Sequence, residues 1–188
     1  MNHSFEAVYH CSPVQGLTRI VPRVSTHGRI WVYATGDIVT SSVFLGRAGG
    51  DFTCGTGSVN GVPYVLERFD GAIDYRYGGV RGSLYTLPGA SFVAGRTTWG
   101  SDLVSEEAVV PISEMRVEDA KEHLLRLAAE GRLTVKLWPD RFAGVPDDDE
   151  DLVERAVVWN GLDRLREYHP SLVGRALEAI ASGKYVSR

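Results

Sequence analysis

The sequence has little of what marks disulfide-bonded, secreted or membrane proteins. Its 188 residues include two cysteines, Cys11 and Cys54, which are too few for a disulfide framework and predict free thiols in a reducing compartment. The first ten residues have neither the basic region nor the apolar region of a signal peptide. No apolar run reaches the roughly 18 residues that a membrane-spanning helix needs. These absences predict a cytoplasmic protein with no membrane partner.

An excess of positive charge is also missing. The 24 acidic and 20 basic residues give a formal net charge of −4, so no global field attracts the chain to nucleic acid. The sequence contains no P-loop, and the glycine-rich stretch 55–61 does not fit a dinucleotide fingerprint. What remains is a composition that is 44% hydrophobic and 23% charged, which is typical of a globular protein with its own core.

Metal-binding and thiol chemistry are both poorly supported by the residue spacing. The candidate zinc ligands are His3, His10, Cys11, His27 and Cys54. Their spacing matches no zinc motif, and the acidic run 147–151 lacks the glycine and glutamate positions of a calcium-binding loop, so we expect no metal. Cys11 as a nucleophile would need a histidine base, but its neighbour His10 points to the opposite face of a strand.

The pattern of the first 112 residues predicts mostly strands and turns. Strands are predicted at 5–10, 29–35, 63–69, 74–77, 82–87 and 102–112. A short helix is predicted after Asp37, a suitable N-cap residue, and should end near Gly46. The stretch 46–61 is predicted to be a loop or a hairpin connection.

The last third of the chain has helical periodicity instead. A helix is predicted over 116–131 and a strand over 132–138, followed by a helical stripe over 152–165 and a short helix capped by Ser171. The sequence therefore predicts an α+β fold with two parts. The twisted antiparallel sheet core would occupy 1–115, and the mostly helical part, 116–188, would pack on it.

Three short patterns follow one another in the predicted sheet. They are YHCSP at 9–13, WVYAT at 31–35 with a helix directly after it, and VSEEAVV at 104–110. Their order resembles the His–Tyr–Glu arrangement of the ADP-ribosyltransferase fold family, and the resemblance covers residues 5–112. In that family a histidine ends the first strand, an aromatic residue lies on a second strand that leads into a helix, and a glutamate follows near a later strand.

The resemblance implies an ADP-ribosyltransferase that uses NAD as a substrate and needs no metal. Glu106 or Glu107 would stabilise the developing positive charge on the ribose, Tyr33 would stack on the nicotinamide, and His10 would bind a ribose hydroxyl. The residues implied to contact NAD are His10, Cys11, Ser12, Tyr33, Thr35 and Arg23. Cys11 stands where the family usually has a glycine that holds the nicotinamide amide through its backbone.

The choice between the two glutamates depends on the predicted strand 102–112. Neighbouring strand residues point to opposite faces, so only one of Glu106 and Glu107 can enter a cleft. Glu106 would share a face with Ala108 and Val110, which favours it over Glu107.

Several alternatives stay open at this stage. Arg19, Arg23, Arg29 and His27 could contact a pyrophosphate or form an ordinary charged loop. The loop 96–102 would select a macromolecular acceptor, either protein or nucleic acid. The same fold also suits an RNA 2′-phosphotransferase or an NAD glycohydrolase, and a non-catalytic binding module is the further alternative.

Overall fold

The computed structural model describes residues 5–24, 28–97 and 99–185. In these ranges the chain is a mixed α+β protein with ten strands, mostly antiparallel, and six α-helices. The strands are β1 (Ala7–Ser12), β2 (Arg23–Val24), β3 (Ile30–Thr35), β4 (Cys54–Val59), β5 (Val62–Glu67), β6 (Gly82–Pro88), β7 (Val93–Ala94), β8 (Asp102–Ser105), β9 (Ser113–Val117) and β10 (Thr134–Lys136). The helices are α1 (Ile38–Ser42), α2 (Ala72–Tyr77), α3 (Ala120–Ala129), α4 (Glu150–Val158), α5 (Leu162–Tyr168) and α6 (Val173–Ser182).

The chain divides into two compact units, each made of two separate stretches. The sheet unit comprises Met1–Gly46 and Tyr77–Leu133, and the helical unit comprises Arg47–Arg76 and Thr134–Arg188. This division differs from the predicted boundary between residues 115 and 116. β10 pairs with β5, which lies about seventy residues earlier in the chain, and local sequence patterns carry no signal for such a pairing.

The sheet unit is built around β1. Its sheet has the strand order β7-β8-β3-β1-β6-β9, with β2 also paired to β3, and every pairing in it is antiparallel. All six residues of β1 pair with β6, from Ala7 opposite Pro88 to Ser12 opposite Ser83. β1 is therefore held firmly on its β6 side.

Alternate residues of the central strands bury one face of this sheet. The buried hydrophobic residues of this core are Val8, Ile20, Val32, Ala34, Tyr85, Leu87, Phe92, Leu103 and Val109. Val8 and Leu87 have no exposed surface. Burying each such aliphatic side chain contributes about 1.5–3 kcal/mol to the free energy of unfolding.

The helical unit has its own small sheet and its own core. β4 and β5 form a hairpin whose two-residue turn is Asn60-Gly61, both with positive φ, as a type I′ turn requires. β10 adds to β5 in parallel, and α4 and α6 contribute buried residues to a separate apolar cluster. None of the helices in the described ranges has both the length and the apolar character that crossing a bilayer requires.

Most predicted elements of the sheet unit are confirmed to within a few residues. The strands predicted at 5–10, 29–35 and 82–87 correspond to β1, β3 and β6. Asp37 is the N-cap of α1, where its carboxylate accepts a hydrogen bond from the Thr40 backbone N–H at 2.7 Å.

One predicted strand is wrong and another is too long. Residues 74–77 belong to α2, because the buried carboxylate of Glu67 accepts a hydrogen bond from the Ile73 N–H at 2.8 Å near the start of that helix. The strand predicted over 102–112 ends at Ser105, whose hydroxyl accepts a hydrogen bond from the Glu107 N–H at 3.1 Å and turns the chain.

The predicted helical segments are also shorter than expected. β9 extends to Val117, so the helix predicted from 116 begins only at Ala120. The stripe over 152–165 is split into α4 and α5 near Asn160, which has a φ of 53°. Ser171 lies in a 3₁₀ turn, Pro170–Leu172, and does not cap α6.

We predict that replacing Leu87 by alanine lowers the free energy of unfolding by about 2–5 kcal/mol, since it leaves a cavity in the core of the sheet unit. Urea denaturation followed by circular dichroism measures this change. Val110→Ala is the control, because Val110 is 64% exposed. Equal effects of the two substitutions would contradict the described core.

Candidate functional site

A cavity of about 250 Å³ opens in the sheet unit beside the end of β1. Its walls come from the end of β1 and the following loop, from the residues that lead into β2, and from the first half of β3. Predicted site residues that line it are His10, Cys11, Ser12, Arg23 and Tyr33. Thr35 is not among the lining residues.

The cavity exists because β1 and β3 separate. Among the described residues a single register pair, Tyr9 opposite Thr35, joins these two strands. Further along, β3 pairs with β2 instead, through Arg23 opposite Trp31. The space between the end of β1 and the first half of β3 is thus left to side chains.

His10 bridges the two strands where their backbone pairing stops. Its Nδ1 lies 2.7 Å from the Tyr33 carbonyl oxygen. Burial, together with the nearby Arg23 guanidinium, lowers the pKa of His10 below its ordinary 6.5, although the hydrogen bond to Tyr33 acts in the opposite direction. A carbonyl can only accept, so the neutral ring carries its proton on Nδ1. Nε2 is therefore a hydrogen-bond acceptor.

Two aromatic residues that line the cavity share one face of β3. Tyr33 and Trp31 are two residues apart, and their ring centroids are 6.0 Å apart with an edge-to-face angle of 62°. The sequence predicts a role for Tyr33 alone of these two. The alternation of a strand, which puts residues i and i+2 on one face, was the signal that would have added Trp31.

Ser12 and Thr35 both have structural hydrogen bonds. The Ser12 hydroxyl oxygen accepts from the Val14 N–H at 3.1 Å and shapes the turn after β1, while its O–H can still donate. Thr35 is buried, with 4% of its surface exposed, and its hydroxyl donates to the Asp37 carbonyl at 2.7 Å. Thr35 therefore fixes the turn from β3 into α1.

The two candidate glutamates lie in the bend after β8, so the strand alternation used to choose between them does not apply. Both are exposed. One carboxylate oxygen of Glu106 lies 3.5 Å from the Trp31 indole nitrogen, at the limit of a hydrogen bond. Glu106 is not among the residues that line the cavity, and Trp31, which does line it, connects the Glu106 carboxylate to the site.

Two arginines give the cavity a positive side. Arg19 and Arg23 line it and are both exposed. Arg29 is exposed as well but is not among the lining residues, and His27 lies outside the described residues. A guanidinium group suits phosphate because it offers several N–H donors in a planar fork.

A serine–histidine pair elsewhere in the sheet unit is structural. His123 Nε2 lies 3.1 Å from the Ser42 hydroxyl, and its Nδ1 lies 2.8 Å from an Arg126 nitrogen, which can only donate. Burial lowers the pKa of His123, so the neutral ring donates from Nε2 to Ser42, which in turn donates to the Ile38 carbonyl at 2.8 Å. A nucleophilic serine needs the opposite direction of donation.

Comparison with known proteins gives no relative for this chain. No protein-family description, no curated protein and no solved structure matches it. The cavity beside β1 is therefore interpreted from its own geometry.

We predict that His10 titrates below pH 6.5 and is protonated on Nδ1 when neutral. In the unfolded chain the pKa of His10 is higher, so His10 binds a proton there at a higher pH than in the folded chain. Protonation therefore favours unfolding, and the free energy of unfolding decreases as the pH falls below about 6.5. Imidazole ¹⁵N shifts in an NMR titration measure both the pKa and the tautomer, with His10→Gln identifying the signal. A proton on Nε2, or a pKa above 6.5, would contradict the described hydrogen bond.

Proposed function

We propose that the chain is an NAD-dependent ADP-ribosyltransferase with an ADP-ribosyltransferase-like sheet unit, acting on a macromolecular acceptor. The observation that carries the proposal is that three kinds of residue line one cavity, with a carboxylate beside one of them. His10, the aromatic pair Trp31 and Tyr33, and two arginines line it, and the Glu106 carboxylate lies 3.5 Å from the Trp31 indole nitrogen. Each kind of group has a partner in NAD.

The aromatic and histidine side chains fit the nicotinamide riboside. Tyr33 would stack on the nicotinamide ring and fix its orientation, with Trp31 packed edge-on behind it. The Nε2 acceptor of His10 would take a hydrogen bond from a ribose hydroxyl. A protonated histidine could not accept there, so the lowered pKa of His10 suits this role.

The reaction breaks the bond between the ribose C1′ and the nicotinamide nitrogen. The bonding electron pair goes to the nicotinamide, which leaves as a neutral molecule, and positive charge develops on the ribose. Glu106 would accept a hydrogen bond from the 2′-hydroxyl and stabilise that charge, as carboxylates do at oxocarbenium-like transition states. The acceptor nucleophile then bonds to C1′ and loses a proton.

The two arginines fit the pyrophosphate. Arg19 and Arg23 line the cavity and are exposed, and a charged guanidinium can bind two phosphate oxygens at once. The net charge of the chain is −4, so this positive side is local and is suited to one small anionic ligand.

We predict that Glu106→Gln slows nicotinamide release from NAD about 100- to 1000-fold, because the amide keeps the shape but cannot balance the positive charge. Chromatography of free nicotinamide, with and without a cell lysate as the acceptor source, measures the rate. Glu107→Gln is the matched control and should keep a rate near that of the wild type.

Three outcomes would contradict the proposal in different ways. Full activity of both glutamine variants would show that neither carboxylate stabilises the positive charge on the ribose. Release of nicotinamide with free ADP-ribose as the sole product would favour an NAD glycohydrolase. No release, together with no increase in melting temperature on adding NAD, would favour a binding module for another ligand.

We predict that Arg23→Ala raises KM for NAD about fivefold to tenfold, since a charge-assisted hydrogen bond to phosphate is lost. The difference from the wild type should shrink at high salt, because exposed charges are screened. Arg29→Ala is the control, since Arg29 does not line the cavity among the described residues. Equal KM values for the wild type and the Arg23 variant would contradict the pyrophosphate contact.

A further inference from the structure

Glu114 lies on β9, two strands away from His10, in the same row of the sheet. In the antiparallel register His10 is opposite Tyr85 of β6, and Tyr85 is opposite Glu114 of β9. Residues directly opposite each other share a face of the sheet. The rings of His10 and Tyr85 are also near neighbours, with centroids 6.5 Å apart.

One carboxylate oxygen of Glu114 accepts several hydrogen bonds. The Gly16 N–H donates to its Oε1 at 2.8 Å, and the Ser83 hydroxyl donates to the same oxygen at 2.6 Å. The Tyr85 hydroxyl lies 3.3 Å away. These bonds, that of Ser83 first, lower the pKa of Glu114, so the group is an anion at neutral pH.

The loop that Glu114 holds is part of the cavity wall. This loop is residues 13–17, and Pro13 and Leu17 at its two ends line the cavity. Tyr85 also holds this loop, since its hydroxyl donates to the Val14 carbonyl at 2.8 Å and accepts from the Leu17 N–H at 3.0 Å.

Gly16, in the middle of the loop, has a left-handed backbone conformation. Gly16 has a φ of 73°, in the left-handed region that favours glycine, and its N–H is the group that Glu114 accepts from. Glycine has more backbone conformations open to it than any other residue. The hydrogen bond from the Gly16 N–H to Glu114 restricts which of these Gly16 adopts.

We propose that Glu114 is a positioning residue that fixes the loop 13–17 as the wall of the NAD cavity next to Ser12. The inference rests on the proposed function for its ligand. Glu114 does not line the cavity among the described residues, so its effect on NAD passes through Gly16 and the loop. Such a wall contacts the substrate before and during the reaction alike, and its loss raises KM more than it lowers kcat.

The first test needs no NAD. Hydrogen exchange of the Gly16 and Leu17 amides is compared in the wild type, Glu114→Ala and Glu114→Gln. We expect exchange to be fastest in the alanine variant and partly restored by glutamine, whose side-chain oxygen can still accept from Gly16. Glu118→Ala is the matched control, because the Glu118 carboxylate is exposed and pairs with Arg81 at 2.5 Å. Unchanged exchange in Glu114→Ala would overturn the proposal.

The second test is the kinetic split for NAD in the same variants. We expect Glu114→Ala to raise KM about tenfold while kcat changes by less than about twofold, with glutamine in between. A fall in kcat with no change in KM, or equal losses in the Glu118→Ala control, would overturn the positioning role. An inactive wild type would contradict the proposed function, while the exchange comparison would still decide whether Glu114 holds the loop.

Discussion

The hydrogen bond between His10 and the Tyr33 carbonyl is the interaction on which the site depends. β1 is fully paired to β6 on one side but leaves β3 after a single register pair on the other. A gap between two strands of a sheet exposes backbone groups that would otherwise pair with each other. The imidazole fills that gap at 2.7 Å and contributes about 0.5–1.5 kcal/mol, and the same bond sets the tautomer that leaves Nε2 as an acceptor.

The other parts of the site follow from this separation of strands. β2 takes the place beside β3, which brings Arg23 opposite Trp31 and so puts a cation and an aromatic ring at one opening. On the far side of β1, the row through Tyr85 to Glu114 holds the loop after the strand. Residues that lie outside the cavity thus hydrogen-bond the loop that forms part of its wall.

The sequence predicted the local parts of this arrangement well. Runs of β-forming residues bounded by turn residues indicated β1, β3 and β6, and Asp37 marked the start of α1, because both signals lie within a few residues. It failed where side-chain hydrogen bonds to the backbone, near or distant in the chain, decide the conformation. The Glu67 carboxylate at the start of α2, and the Ser105 hydroxyl that ends β8, compete with local strand preference. No spacing in the sequence links Glu114 to Gly16, which lies 98 residues away.

Binding of NAD in the cavity between β1 and β3 is the step on which the proposed reaction depends. The most direct test is an NMR titration of the tryptophan indole N–H signals with NAD, assigned by single Trp→Phe variants of the four tryptophans. We expect a saturable shift of the Trp31 signal, because Trp31 lines the cavity. A shift of Trp138 or Trp159 with Trp31 unchanged, or no shift at saturating NAD, would contradict binding in this cavity.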